Sequence, residues 1–131
     1  MAEYRRQSRA ERRQRNKEVP VDRRTITPPE LVLSSQESNR TLTVNLENRF
    51  IADNSFELKE YLNNVLNPHS IDRVILHIEK VPYMDSTALG ILVDIKRNLN
   101  ELGVEFCLKK PSHQVSWLIE ILMLDRVLPV I

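Results

Sequence analysis

The chain has 131 residues, 41% apolar and 28% charged, which suits one soluble globular domain with a short extension. Its single cysteine, Cys107, excludes an internal disulfide, and no apolar run approaches the roughly 20 residues a bilayer span needs. The net charge of +1 conceals a division: residues 1–24 carry nine Lys or Arg against four Asp or Glu, and the rest carry ten against fourteen.

The basic segment has almost no apolar residues, so it has no stripe to pack and is expected to be disordered alone. Val19-Pro20 and Pro28-Pro29 break any helix. Residues 1–29 therefore read as a basic extension and linker, and 30–131 as the folded domain. No apolar stretch follows the basic residues, so they are not a secretory signal, and a cytoplasmic location is expected.

Leu31-Val32-Leu33 predicts a short first strand. Thr41 to Leu46 alternates, with Leu42, Val44 and Leu46 on one face, and predicts a half-buried strand. Asn54, with Glu57 three residues on, fits a capping box for a helix with the stripe Leu58, Tyr61, Leu62, Val65 and Leu66. Asn67-Pro68 stops it. The nearly continuous apolar run Val74 to Ile78 predicts a central strand covered on both faces. A second helix is predicted over Thr87–Leu102, with Gly103 as a left-handed C-terminal cap. Val104, Phe106 and Leu108 alternate as a strand, within which Cys107 reads as a buried, inert residue. Ser112 caps a third helix with the stripe Val115, Leu118, Ile119 and Leu122. Leu128 to Ile131 predicts a last short strand. Strands alternating with single helices imply an α/β domain with a mixed, mostly parallel sheet of about five strands and three helices packed against it.

Signals for an enzyme are missing. Two glycines, Gly90 and Gly103, build no phosphate-binding loop. His69, His77 and His113 lack metal-ligand spacing, so no metal or cofactor is expected. A triad of Ser86, His77 and an Asp has no nucleophile-elbow pattern behind it, and His77 reads as a strand residue with a hydrogen-bond partner.

The informative stretch is Met84-Asp85-Ser86-Thr87-Ala88-Leu89-Gly90, where an apolar strand hands over to an amphipathic helix. Asp and Ser at such a turn fit a plain helix cap. The same place also tolerates a phosphate, because unpaired amides and the positive dipole end lie there. Phosphorylation would bring roughly −1.5 to −2 charges onto a surface that a partner covers.

These seven residues closely resemble the Asp-Ser-Ser/Thr-Gly-Leu-Gly signature of STAS-domain anti-sigma factor antagonists. The element order from about 30 to 131, Gly103 before a strand, and Leu124-Asp125-Arg126-Val127 after the third helix resemble that family as well. The resemblance implies a regulatory binding protein and no catalytic residue. It implies that Ser86 is phosphorylated by a partner serine kinase that doubles as an anti-sigma factor, with Thr87 as a secondary acceptor. The unphosphorylated form would bind that partner, the phosphorylated form would not, and a phosphatase would reset the cycle. ATP would belong to the kinase. Asp85, Ser86 and Thr87, with Asp53 and Asn54 in the loop before the first helix, would form the contact surface. This sequence departs from the family pattern at Ala88, His77, Ile51 and Met123.

Two further readings remain open. A STAS module can dock in a transporter or sensory complex without phosphorylation. Trp117, Ile121 and Leu124 form a second apolar stripe on the third helix that is either such a docking surface or more deeply buried. Alternatively, the Arg-rich residues 1–24 suit nucleic acid or an anionic membrane surface, although no interleaved aromatics favour base stacking. A homo-oligomer is also compatible with the chain.

Overall fold

The computed structural model describes residues 30–131, so the basic extension lies outside the described residues. The elements are β1 (Val32–Ser38), β2 (Thr41–Glu47), α1 (Phe56–Val65), β3 (Arg73–Lys80), α2 (Ser86–Glu101), β4 (Glu105–Lys109) and α3 (His113–Ile121). They form a four-stranded sheet in the order β1-β2-β3-β4. The β1–β2 pair is antiparallel and the two other pairs are parallel.

Alternation along the strands decides which face is buried. Leu42, Val44 and Leu46 of β2, Val74, Leu76 and Ile78 of β3, and Phe106 and Leu108 of β4 join one core cluster. The same cluster takes Leu58 and Leu62 from α1, Ala88, Leu89, Leu92, Ile95 and Leu99 from α2, and Val115 and Ile119 from α3. Burial of each of the larger side chains stabilises by about 1.5–3 kcal/mol, which outweighs any local propensity. β3 is thus sealed on one face, whereas its other face, with Ile75 and His77, is half-buried rather than covered as its apolar run predicts. There the Asn45 amide donates to Ser34 Oγ at 3.3 Å and Gln36 Oε1 at 3.2 Å, and its Oδ1 lies 3.3 Å from His77 Nδ1.

Three boundaries differ from the sequence expectations. The predicted fifth strand shrinks to one parallel bridge, Leu108 to Val130, because Pro129 removes a ladder donor. β1 runs on to Ser38, since Asn39 and Arg40 adopt left-handed φ of 51° and 61° and close a tight hairpin onto β2. α1 starts at Phe56, with Ser55 rather than Asn54 at the capping position.

Arg40 holds its strained turn through a fork onto Asp72, Nε to Oδ2 at 2.8 Å and Nη2 to Oδ1 at 3.0 Å. The guanidinium's hydrogen bonds keep the Asp72 carboxyl below its ordinary range. A carboxyl with a lowered folded-state pKa stabilises above its unfolded value and loses that contribution as pH falls through the folded one. The melting temperature of the wild type is expected to fall more steeply than that of Asp72→Asn between about pH 4 and pH 2. Parallel curves from calorimetry would refute the coupling.

Both later helices end in Schellman motifs. After α2, Gly103 has φ 76° and its N–H reaches Asn100 O, while Val104 N–H reaches Leu99 O. After α3, Met123 takes the glycine role at φ 57°, with Met123 N–H on Glu120 O and Leu124 N–H on Ile119 O. A Cβ in that conformation costs about 1 kcal/mol, and the Met123 side chain is 80% exposed, so it gains little in return. Met123→Gly is therefore expected to raise stability by about 1 kcal/mol, read as a higher urea midpoint.

Candidate functional site

The strand-to-helix turn is built from three chain segments. Met84 bridges to Phe50 as a short parallel pair, in which Phe50 N–H donates to Tyr83 O and Asp85 N–H to Phe50 O. From the other side Gln114, in the first turn of α3, grips the Met84 main chain. Its Oε1 accepts from Met84 N–H at 2.9 Å and its Nε2 donates to Met84 O at 3.0 Å. With Phe50 and Met84 fully buried, the approach to Ser86 is a fixed platform.

Asp85 caps α2 and also ties in the loop before α1. Its Oδ1 accepts from Ala88 N–H at 2.8 Å and its Oδ2 from Ala52 N–H at 2.9 Å. Both oxygens are thus turned inward onto backbone donors, each bond contributing about 1–2 kcal/mol. Asn54 sets the shape of that loop: its Oδ1 accepts from Ile51 N–H at 3.0 Å and its Nδ2 donates to Arg49 O at 2.9 Å. It is 2% exposed, so its side chain shapes the loop instead of facing a partner, unlike the role the resemblance implies. Asp53 next to it is exposed.

Ser86 and Thr87 occupy the first two positions of α2 and are both exposed. The N–H groups of Ala88 and Leu89 are taken by the Asp85 side chain and carbonyl. The amides of Ser86 and Thr87, as the first donors of a helix, have no intrahelical partner. A hydroxyl on an open helix start, with two amides and the positive dipole end beside it, accommodates an added dianion without rearranging the backbone. Asp53, Asp85, Ser86 and Thr87 therefore share one end of the sheet.

Other candidates fall elsewhere. His77 lies on the sheet face away from the helices, its ring beside Asn45 and 3.5 Å from Glu79, so it does not meet Ser86 in a triad. Cys107 is buried, and burial pushes its thiol pKa up, away from reactivity. The Ala88 methyl is fully buried in the core and does not narrow the site. On α3, Trp117 and Ile121 are 57% and 56% exposed, while Leu124 packs partly against the core. No group of His, Cys, Asp or Glu among the described residues is arranged to hold a metal. No described helix is long and apolar enough to cross a membrane. Sequence reasoning missed Ala52 and Gln114; both act through partners about 30 positions away, and local pattern carries no signal for that.

Comparison with known proteins agrees with this architecture. The family model of the STAS domain matches residues 33–131. A Thermotoga neapolitana homologue of TM1081, named as a candidate anti-sigma factor antagonist, is 28% identical over 87 residues, 66% of this chain and 72% of its own. The crystal structure of TM1081 from Thermotoga maritima superposes with a TM-score of 0.68 at 18% identity, covering 75% of this chain and 84% of that one. The anti-sigma factor antagonist SpoIIAA, unphosphorylated, superposes with a TM-score of 0.63 at 16% identity over 76% of this chain and 88% of its own. A structure of the Bacillus SpoIIAA also exists in a phosphorylated form. The fold recurs in the murine anion transporter Slc26a9, with a TM-score of 0.60 at 18% identity over 66% of this chain and 14% of the transporter.

Proposed function

We propose that this chain, which belongs to the STAS domain family, is a phosphorylation-switched anti-sigma factor antagonist. Ser86 is the phosphoacceptor. The unmodified protein binds an anti-sigma factor that is also a serine kinase, through Asp53, Asp85, Ser86 and Thr87. The kinase moves the γ-phosphoryl of its own ATP to Ser86 Oγ, the hydroxyl proton leaves, ADP is released, and the complex separates. A phosphatase then restores the hydroxyl. This protein acts in the cytoplasm as a binding partner without catalytic groups of its own.

The single observation that carries the reading is the exposed Ser86 hydroxyl on an open helix start, held in place by inward-turned Asp85. The test is affinity recovery from the native cytoplasm with mass-spectrometric mapping of phosphate. Recovery of an ATP-binding kinase, with phosphate on Ser86 after ATP is added, is the expected result. Recovery of a kinase that leaves Ser86 unmodified would remove the switch. The recurrence of this fold in Slc26a9 favours a second reading, a docking module whose binding phosphate leaves unchanged. The same experiment separates the two.

A further inference from the structure

The two edges of the sheet are finished differently. At β4 the C-terminal segment closes the edge: Leu108 N–H donates to Pro129 O and Ile131 N–H to Leu108 O. At β1, among the described residues, no strand pairs with the outer edge. Open edges are normally blunted by Lys, Pro, a bulge or shortness. β1 has none of these: it is seven residues long, Val-Leu-Ser-Ser-Gln-Glu-Ser, with Glu37 as its one charge and no register shift against β2.

Antiparallel pairing fixes which groups face out. Ser38 and Thr41 flank the hairpin turn, so they are a hydrogen-bonded pair, and every second pair after them is bonded too. Val32, Ser34, Gln36 and Ser38 therefore spend their amides and carbonyls on β2. The β2 side agrees, since the next even-numbered residue, Asn48, sends its N–H the other way to Lys80 O. Leu33, Ser35 and Glu37 are left pointing N–H and C=O outward.

We propose that this edge takes β1 of a second copy, antiparallel and centred on Ser35. In that register Ser35 meets Ser35 of its copy, Leu33 meets Glu37, and all three are outward-facing residues, which gives about six inter-copy hydrogen bonds. No like charges stand opposite. The exposed Glu30 end of each strand falls beside the Arg40 turn of the other, twice by the two-fold axis, where it joins the Arg40–Asp72 fork as a second acceptor for the guanidinium. The axis stands perpendicular to the sheet, so helices of both copies share one face and the two Ser86 turns lie at opposite ends. One strand edge is a small interface, so the dimer is weak, with a Kd of about 10 µM.

The experiment is sedimentation velocity on the full chain, with hydrogen exchange at matching concentrations. Between ~1 and ~200 µM the protein is expected to pass from monomer to dimer. Over that range the amides of Leu33, Ser35 and Glu37 gain about fivefold protection, following the fall in monomer fraction, while those of Ser34 and Gln36 stay constant. Glu37→Pro removes an outward donor without touching the β2 ladder and should be monomeric throughout, and Glu37→Ala should dimerise as wild type does. A monomer at every concentration overturns the proposal. So does a dimer in which those three amides exchange independently of concentration, which places contact on another face or the edge under the chain's own residues. The exchange measurement needs no variant, so misfolding of Glu37→Pro would leave the test intact.

Discussion

Ser86→Asp is expected to weaken binding to the partner kinase by about a hundredfold or more, and Ser86→Ala to bind like the unmodified protein. The magnitude comes from burying an unpaired charge: in a protein interface this costs about 2–5 kcal/mol, and about 2.7 kcal/mol is a factor of a hundred. The variant carries one charge where phosphate brings roughly −1.5 to −2, so the phosphorylated protein should lose more affinity than Ser86→Asp does. The fold should not notice either change. Asp85, not Ser86, makes the side-chain capping bond, and an exposed first-turn residue contributes within about 0.5 kcal/mol. Titration calorimetry against the recovered kinase, with thermal melts as control, tests both halves. Equal affinity for wild type, Ser86→Asp and phosphorylated protein would sink the switch.

What the sequence shows and what it conceals follow from the range of each interaction. Leu42, Val44 and Leu46 announce β2 because the period of two is local. Gly103 announces the end of α2 because a left-handed backbone favours glycine, and Ser112 caps α3 by accepting from Val115 N–H at 3.3 Å as its position predicts. Asp85 and Ser86 stand where expected for the same reason. By contrast, Ser35-Gln36-Glu37-Ser38 is polar and aperiodic, and it becomes a strand because the Asn39-Arg40 turn folds it onto β2. The last residues look like a strand from composition alone, yet a proline leaves them one bridge. At the site, Asn54 reads as a cap by type and spacing. Its side chain instead turns back onto the main chain of its own loop, at Arg49 and Ile51.

Asp85→Ala is expected to cost about 2–3 kcal/mol, a fall in melting temperature of roughly 10 °C for a domain of this size. Two losses combine. The α2 cap to Ala88 N–H is worth about 1 kcal/mol. The link to Ala52 N–H adds about 1–2 kcal/mol rather than a full desolvation penalty, because Ala52 is exposed and its amide regains water. Asp85→Asn separates these roles. Its carbonyl oxygen can still accept from Ala88 N–H, but its amide then sets a donor against Ala52 N–H, so the cap survives and the link does not. This variant should lose about 1–2 kcal/mol, less than Asp85→Ala, while the Ala52 amide exchanges several times faster. If the 49–55 loop is part of the partner's footprint, Asp85→Asn will also lower kinase affinity while leaving the Ser86 hydroxyl in place. Unchanged Ala52 exchange in Asp85→Asn would mean that the carboxylate serves the helix alone, and the loop would then have to be held by Asn54 and Phe50.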